Sequence, residues 1–326
     1  MSIQHLRLLF LVLPVLFLSC SKPNDNPSPI ATDSLFSWKV VGNIPSPRGV
    51  SDIWFTSPSK GFAAVTDRNL YRTVDSGKTW SIIPNTKDSS AGGMFYFFFV
   101  DDKYGFVGGA SQLQITKDGG LTWKLVQLPT GSAQNIFFTS RSTGYYSDDD
   151  HGIFKTTDTG NTWTLNHSAT TSHAIYFSDP DIGYILSLDG TLSKTTNGAL
   201  SWQPVKQNIF HNTQEIEHPY NTLQFLDNLT GYFGCSSGVL KTTDGGQSWK
   251  NVYTTISRGA IIKFFTPAAG YYREGSTIHN TTDGGQSWTT SCKLPGQEFF
   301  FGMYFIDSTT GWACTSKGNI LRKTSQ

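Results

Sequence analysis

The chain has 326 residues, of which 37% are apolar, 14% aromatic and 15% charged, and its formal net charge is +1. So many aromatic and so few charged residues argue against intrinsic disorder and against a mainly helical protein. A charge near zero provides no electrostatic footprint for DNA or RNA, so the sequence gives no support to a nucleic-acid partner. These values indicate a β-rich globular protein.

Residues 1–19 are predicted to be an export signal. Arg7 precedes the apolar run 8–18, which is shorter than the ~20 residues of a membrane-spanning helix and is interrupted by Pro14. The ending Leu18-Ser19-Cys20 resembles the lipobox of bacterial lipoproteins, in which the cysteine becomes the lipidated N-terminus. This resemblance implies a lipid anchor at Cys20 in the bacterial cell envelope, at the outer membrane or the periplasmic face. An ordinary signal peptide with an incidental cysteine is the alternative.

Residues 20–35 are rich in Pro, Asn and Ser and are predicted to be a flexible tether. The other three cysteines are Cys235, Cys292 and Cys314. They are odd in number and lack CxxC spacing, so we expect buried free thiols, with one incidental disulfide as the alternative. Neither a metal nor a cofactor is predicted.

A repeated octet dominates residues 36–326. Its first copy is Thr73–Trp80 (TVDSGKTW), and later copies follow at intervals of about 40 residues, a period typical of one four-stranded propeller blade. Each copy has Asp or Asn at its third position and Trp at its eighth. These pairs are Asp75 and Trp80, Asp118 and Trp123, Asp158 and Trp163, Asn197 and Trp202, Asp244 and Trp249, and Asp283 and Trp288.

The residue types of the octet suit a tight hairpin. The Asp side chain accepts hydrogen bonds from turn amides, Gly supplies positive φ, and Trp covers the hairpin against its neighbours. We therefore predict a structural role for these acids, neither catalytic nor calcium-binding. Asp244→Ala is expected mainly to lower stability.

A second marker counts seven repeats. A glycine followed by an aromatic residue opens the predicted second strand of each unit, at Gly61, Gly105, Gly144, Gly183, Gly231, Gly270 and Gly311. The seventh unit stops where its octet should begin, whereas Ser37–Val41, with Trp38, resembles the segment that follows an octet elsewhere. We therefore expect an all-β fold, a seven-bladed β-propeller of four-stranded antiparallel blades, with the last blade closed by the N-terminal strand.

The octets resemble the Asp-box (BNR) repeat of bacterial sialidases, xyloglucan-cleaving glycosidases, sortilin-type receptors and photosystem II stability/assembly factors. The longer pattern, from Ser51–Phe55 through Gly61-Phe62 to the first octet, is most similar to the assembly-factor group and covers nearly all of residues 36–326. This resemblance implies a non-enzymatic chaperone of reaction-centre assembly that carries an arginine-rich patch. Only Arg48, Arg258 and Arg273 are placed to contribute to such a patch here.

The candidate binding residues lie in the links between blades and in the turns between second and third strands. In Asp-box propellers these segments form the face opposite the octet hairpins. The longest link, residues 203–221, exceeds its counterparts by about eight residues, which marks it for specialised binding. The candidates are Arg48, Arg258, Arg273, His173, Glu298, His211, Glu215 and His218.

Among enzymes, only a glycosidase is a serious alternative. A sialidase needs three arginines, a Tyr–Glu pair and an acid, and its Arg-Ile-Pro motif is missing. Other glycosidases need two carboxylates at a defined separation, for which Asp149 or Glu215 with Glu298 are the available pairs. Calcium at Asp148–Asp150 and zinc at His211 with His218 are less favoured than solvated loop residues.

The leading interpretation is a monomeric, membrane-tethered, non-enzymatic propeller that binds a protein partner as an assembly scaffold in the cell envelope. The alternative is a surface lipoprotein that binds or hydrolyses glycans on the same face.

Overall fold

The computed structural model describes residues 38–46, 49–65, 69–84, 96–109, 112–130, 133, 135–148, 150–168, 172–187, 189–209, 223–235, 237–255 and 261–323. Within these ranges no helix is long and apolar enough to cross a membrane.

Twenty-eight strands form seven antiparallel four-stranded sheets. The innermost strands are β2 (Val50–Phe55), β6 (Tyr96–Phe99), β10 (Asn135–Phe138), β14 (Ser172–Phe177), β18 (Leu223–Phe225), β22 (Ile261–Phe264) and β26 (Phe300–Phe305). The second strands are β3 (Gly61–Val65), β7 (Gly105–Gly109), β11 (Gly144–Asp148), β15 (Gly183–Ser187), β19 (Gly231–Cys235), β23 (Gly270–Glu274) and β27 (Gly311–Thr315). The third strands are β4 (Leu70–Thr73), β8 (Gln112–Thr116), β12 (Gly152–Thr156), β16 (Leu192–Thr195), β20 (Gly238–Thr242), β24 (Thr277–Thr281) and β28 (Asn319–Lys323). The outermost strands are β5 (Ser81–Ile82), β9 (Lys124–Val126), β13 (Thr164–His167), β17 (Gln203–Lys206), β21 (Lys250–Thr254), β25 (Thr289–Lys293) and β1 (Trp38–Asn43).

The sheets are the blades of a closed seven-bladed propeller, as predicted. Each innermost strand contacts the innermost strands of both neighbouring blades, so the ring has no gap. The seventh blade has the order β1-β28-β27-β26, and Trp38 of β1 pairs with Lys323 of β28. The N-terminal strand therefore closes the ring, which leaves the two ends of the described chain paired with each other.

One phenylalanine at the end of each innermost strand organises its blade. In the third blade it is Phe138, which pairs with Gly144 at the start of the second strand. A Cβ atom on Gly144 would lie 2.5 Å from the Phe138 ring, and the matching distance is 2.4–2.6 Å in all seven blades. The glycine is therefore required because the phenyl ring occupies the space of its side chain.

The aromatic residue after each glycine stacks on the phenylalanine of the next blade. The ring centroids lie 3.5–4.7 Å apart and the planes within 25° of each other. The stacked pairs are Phe62 with Phe99, Phe106 with Phe138, Tyr145 with Phe177, Tyr184 with Phe225, Tyr232 with Phe264, Tyr271 with Phe305, and Trp312 with Phe55. The last pair joins the seventh blade to the first.

The tryptophan at the start of each outermost strand, or just before it, also contacts this phenylalanine from within the blade. Each one meets the phenylalanine of its own blade edge-on, at 5.7–6.1 Å and 74–87°. Trp38 does so on Phe305 at 5.7 Å, which makes it the counterpart of the octet tryptophans in the seventh blade. Stacked and edge-on contacts are the two favoured aromatic geometries, and each blade uses both on one ring.

The octets form hairpins whose acid is bonded within its own turn. Asp75 Oδ1 accepts hydrogen bonds from the Thr79 amide at 2.9 Å and from Thr73 Oγ1 at 2.8 Å, while Thr79 Oγ1 donates to Oδ2 at 2.6 Å. These bonds, that from the Thr79 hydroxyl foremost, hold the pKa of Asp75 at about 2. Asn197 keeps the pattern: its Oδ1 accepts from the Ser201 amide and its Nδ2 donates to Ser201 Oγ, both at 3.0 Å.

The three cysteines beyond Cys20 are buried, free thiols. Cys20, the predicted export signal and the predicted tether lie outside the described residues, and so does most of the long link 203–221.

Removing the ring of one organising phenylalanine should destabilise the whole propeller. We expect Phe138→Ala to lower the free energy of unfolding by about 3–5 kcal/mol, because the ring loses the contacts with Phe106, Trp163 and Gly144 together. Thermal and urea denaturation measure this loss. Phe299→Ala is the matched control because Phe299 is 47% exposed. An equal loss in the two variants would contradict the organising role of Phe138.

Acid should weaken the octet turns in a defined pH range. The pKa of Asp75 is about 2 in the folded protein and about 3.9 in an unfolded chain. Its contribution to stability is therefore complete above pH 4 and is lost as the pH falls toward 2. Asp75→Asn, which introduces the residue found at the equivalent position 197, should keep the melting temperature at pH 7 and show a smaller acid loss, whereas Asp75→Ala should melt lower at pH 7. An unchanged melting temperature in Asp75→Ala argues against the structural role.

Candidate functional site

The structure locates three of the eight candidate binding residues. Arg48, Arg258, His211, Glu215 and His218 lie outside the described residues. His173 lies in β14, beside a register shift between Ser172 and Ala174, and its side chain is outside the described part. Only Arg273 and Glu298 have described side chains.

Arg273 is a structural residue rather than part of an exposed basic patch. Its side chain is 3% exposed, and Nη2 donates a hydrogen bond to the Phe301 carbonyl oxygen at 2.9 Å. It therefore ties the sixth blade to the innermost strand of the seventh. The sequence placed Arg273 near a turn but could not show that its guanidinium points inward, across a blade boundary.

Glu298 is also buried and bonded within the fold. Its Oε1 accepts hydrogen bonds from Thr315 Oγ1 at 2.5 Å and from Asn319 Nδ2 at 2.8 Å, and the residue is 3% exposed. These bonds fix the link before β26 to the turn between β27 and β28. The expectation of an exposed ligand-binding or catalytic acid is therefore not met at this position.

The acidic run after β11 is organised as a turn. Asp148 is buried, and its Oδ1 accepts from the amides of Asp150 and His151 and lies 2.8 Å from His151 Nδ1. Asp149 lies outside the described residues. No group of three or more His, Cys, Asp or Glu side chains placed to hold a metal ion occurs in the described part of the chain.

Phe299 follows the buried Glu298 in the link before β26. We call the face formed by the links between blades the link face. Phe299 is 47% exposed, and its ring lies 6.0 Å from that of Phe301. Ser316 bonds Phe299 twice, because its amide donates to the Phe299 carbonyl oxygen at 2.9 Å and its hydroxyl accepts from the Phe299 amide at 3.2 Å. On the other side of Ser316 lies Gly49, where a Cβ atom would approach the Ser316 backbone to 2.7 Å. We call Phe299, Phe301 and Ser316 the link-face platform.

A second feature is the central channel, a cavity of about 240 Å³ lined by all seven innermost strands. The residue that precedes each organising phenylalanine lines it, because neighbouring residues of a strand point to opposite sides. Going round the ring, these residues are Trp54, Phe98, Phe137, Tyr176, Gln224, Lys263 and Tyr304.

Five of the seven form a continuous aromatic ladder. Tyr304 lies 4.6 Å from Trp54, Trp54 lies 5.8 Å from Phe98, and the series continues through Phe137 to Tyr176 at 5.5 and 5.2 Å. The rings are tilted by 41–58° to one another. Gln224 and Lys263, from the fifth and sixth blades, are the two channel residues outside the ladder. Within the ladder, Tyr176 of the fourth blade and Tyr304 of the seventh carry hydroxyl groups.

Most of the polar groups at this level bind the neighbouring blade. Tyr176 donates its hydroxyl to the Phe225 carbonyl oxygen at 3.0 Å. The Gln224 amide donates to the Phe264 carbonyl oxygen at 2.7 Å and accepts from the Phe264 amide at 2.9 Å. These bonds link the fourth, fifth and sixth blades, so both side chains are committed to the fold.

Two ionisable groups, Asp52 and Lys263, line the same cavity. Burial raises the pKa of Asp52 to about 7, although hydrogen bonds from the Phe97 and Ile53 amides oppose the shift. Burial likewise lowers the pKa of Lys263. No ion pair joins the two among the described contacts. The channel therefore holds one readily protonated acid and one poorly solvated ammonium group.

Sequence reasoning missed the channel, although a signal for it exists. If the seven units are aligned on their organising phenylalanines, the preceding position reads Trp, Phe, Phe, Tyr, Gln, Lys and Tyr. Five aromatic residues at equivalent positions are unusual for a surface. The two residues that are not aromatic, Gln224 and Lys263 of the fifth and sixth units, mark one side of the ring.

The fold defines a seven-bladed Asp-box propeller, which carries the link-face platform and the central channel. Residues 30–171 match the family model described as photosynthesis system II assembly factor YCF48. A curated relative, the chloroplastic photosystem II stability/assembly factor HCF136 of Arabidopsis thaliana, is 27% identical over 199 residues, which cover 53% of this chain and 49% of that protein. The match thus spans about half the length of this curated relative.

Solved structures extend the likeness over the whole propeller. A structure described as YCF48 bound to D1 peptide has a TM-score of 0.70 and 20% identity and covers 91% of this chain and 99% of that one. YCF48 from Cyanidioschyzon merolae follows with a TM-score of 0.66, 15% identity and coverages of 88% and 98%. A GH74 xyloglucanase from Xanthomonas campestris has the same TM-score at 12% identity, with coverages of 89% and 54%. The chain is a seven-bladed β-propeller that is similar to the photosystem II assembly factors in its first half by sequence and over the whole propeller by fold.

The raised pKa of Asp52 should make stability depend on pH between 4 and 7. The folded carboxyl has a pKa of about 7 and an unfolded one about 3.9. The contribution of Asp52 to stability is therefore highest below pH 4, falls as the pH rises toward 7 and then levels off. Asp52→Asn should flatten this fall in melting temperature, while the exposed control Asp150→Asn should not. Titration of the Asp52 carboxyl near pH 4 by carbon-13 NMR would refute the assignment.

Proposed function

We propose that this protein is a non-enzymatic scaffold that binds a segment of a protein partner on its link-face platform. The observation that carries the proposal is Phe299, an exposed aromatic side chain held by backbone bonds to Ser316 above the buried Glu298 support. Aromatic residues are enriched in protein interfaces, and a backbone already fixed by hydrogen bonds loses little conformational entropy on binding.

Similar proteins support this class of function. One similar propeller, YCF48, has been solved with a bound D1 peptide. HCF136 is named as a stability and assembly factor. By analogy we propose an assembly role for this chain. We further propose that the lipidated Cys20 tethers it in the bacterial cell envelope, so that the partner is a membrane or envelope protein.

A glycoside-hydrolysing function has weaker support. The xyloglucanase likeness, at 12% identity, concerns the fold alone. Of the acids that the sequence offered, Glu298 is buried and already accepts two hydrogen bonds. We therefore propose no catalytic pair. Hydrolysis of xyloglucan or a sialoside by the wild-type protein, abolished in Glu298→Gln, would overturn the scaffold proposal.

Site-specific crosslinking tests the scaffold proposal directly. A photoreactive phenylalanine analogue at position 299 should crosslink one protein of the host membrane in near-stoichiometric amount. The same analogue at Leu165, which is 54% exposed on an outermost strand, is the control and should not capture that protein. Phe299→Ser should lower its recovery at least tenfold, about 1.4 kcal/mol, whereas Leu165→Ser should leave it unchanged. Equal capture at positions 299 and 165 would contradict the proposed platform.

A further inference from the structure

The aromatic ladder makes the channel a cavity with planar apolar walls. Trp54, Phe98 and Phe137 are only partly buried, so their rings face the open space of about 240 Å³. This volume lies just under the roughly 300–1,000 Å³ of pockets for drug-sized ligands. An occupant would therefore be small, with one or two rings that stack against the tilted aromatic walls.

The cationic group in this wall is Lys263. Its Nζ has no hydrogen-bond acceptor and no ion-pair partner among the described residues, and its nearest described interaction is with the Phe265 ring at 5.9 Å. An ammonium group has three donors and is costly to remove from water without a counter-ion. Burial lowers the pKa of Lys263, as expected for an ammonium group that lacks such a partner.

The other polar groups of the ring do not compete for this role. The Gln224 amide is bonded to both backbone groups of Phe264, and Tyr176 is bonded to Phe225. Both oxygens of Asp52 accept backbone N–H groups, from Ile53 at 2.9 Å and from Phe97 at 3.2 Å. Lys263 is thus the charged group in the channel whose hydrogen-bonding capacity is unused.

From this combination we infer that the channel binds a small planar organic anion, an aromatic carboxylate by class. Its carboxylate pairs with Lys263, and its ring stacks on the ladder formed by Trp54, Phe98 and Phe137. This site goes beyond the proposed partner binding, because it uses none of the platform residues.

Three probes with one ring system and different charges test this assignment. Indole-3-acetate is an anion, indole-3-acetamide is neutral and tryptamine is a cation at pH 7. In isothermal titration calorimetry of the full chain, we expect the acetate to bind at least tenfold more tightly than either of the others. Equal affinities, a preference for tryptamine, or no binding of any probe would overturn the assignment.

Variants locate the bound anion. Lys263→Met should weaken binding of indole-3-acetate at least tenfold, and Lys263→Arg should retain most of it because the charge remains. Lys250→Met is the matched control, since Lys250 is exposed on an outermost strand. Melting curves establish that each variant is folded, and if Lys263→Met does not fold, the arginine variant and the probe series still decide. Unchanged affinity in folded Lys263→Met would refute the site.

The same measurements separate this inference from the proposed function. Phe299→Ser should lose partner capture and keep indole-3-acetate binding. Lys263→Met should show the opposite pattern. Failure of one proposal therefore leaves the other standing.

Discussion

The propeller depends on one phenyl ring in each blade, which makes three close contacts at once. In the first blade, Phe55 fills the space that Gly61 leaves open, lies under Trp312 of the seventh blade, and is met edge-on by Trp80. The same ring thus holds its own sheet together and joins it to the sheet before it. Because these apolar contacts are shared, no blade completes its core alone, and stability requires that the ring be closed.

The packing of these phenylalanines also determines at which positions the residue can vary and so carry function. Since Phe55 and its counterparts point into blade boundaries, each preceding residue must line the channel. The seven channel positions are therefore held rigidly but are not needed for the stacking itself, which leaves room for Gln224 and Lys263 among five aromatic residues. The link-face platform is a comparable case, because Glu298 and Ser316 support Phe299 from below.

Buried polar side chains also bond to the neighbouring blade. Arg273 bonds the Phe301 carbonyl oxygen, and Gln224 bonds both backbone groups of Phe264. A buried polar group that finds its partner across a boundary stabilises the boundary, whereas an unpaired one is costly. Lys263 departs from this rule among the seven channel residues, because its ammonium group has no hydrogen-bond or ion-pair partner among the described residues.

Local patterns in the sequence determined most of the fold. The octets, the seven glycine–aromatic pairs and the placement of Trp38 predicted seven blades and the closure by the N-terminal strand, because turn chemistry and strand periodicity are properties of short segments. Only the tertiary structure decided the rest. Whether Arg273 and Glu298 face solvent or a neighbouring blade, and that residues from Asp52 to Tyr304 line one cavity, depends on contacts between segments far apart in the chain. A single sequence does not encode those distances in any local pattern.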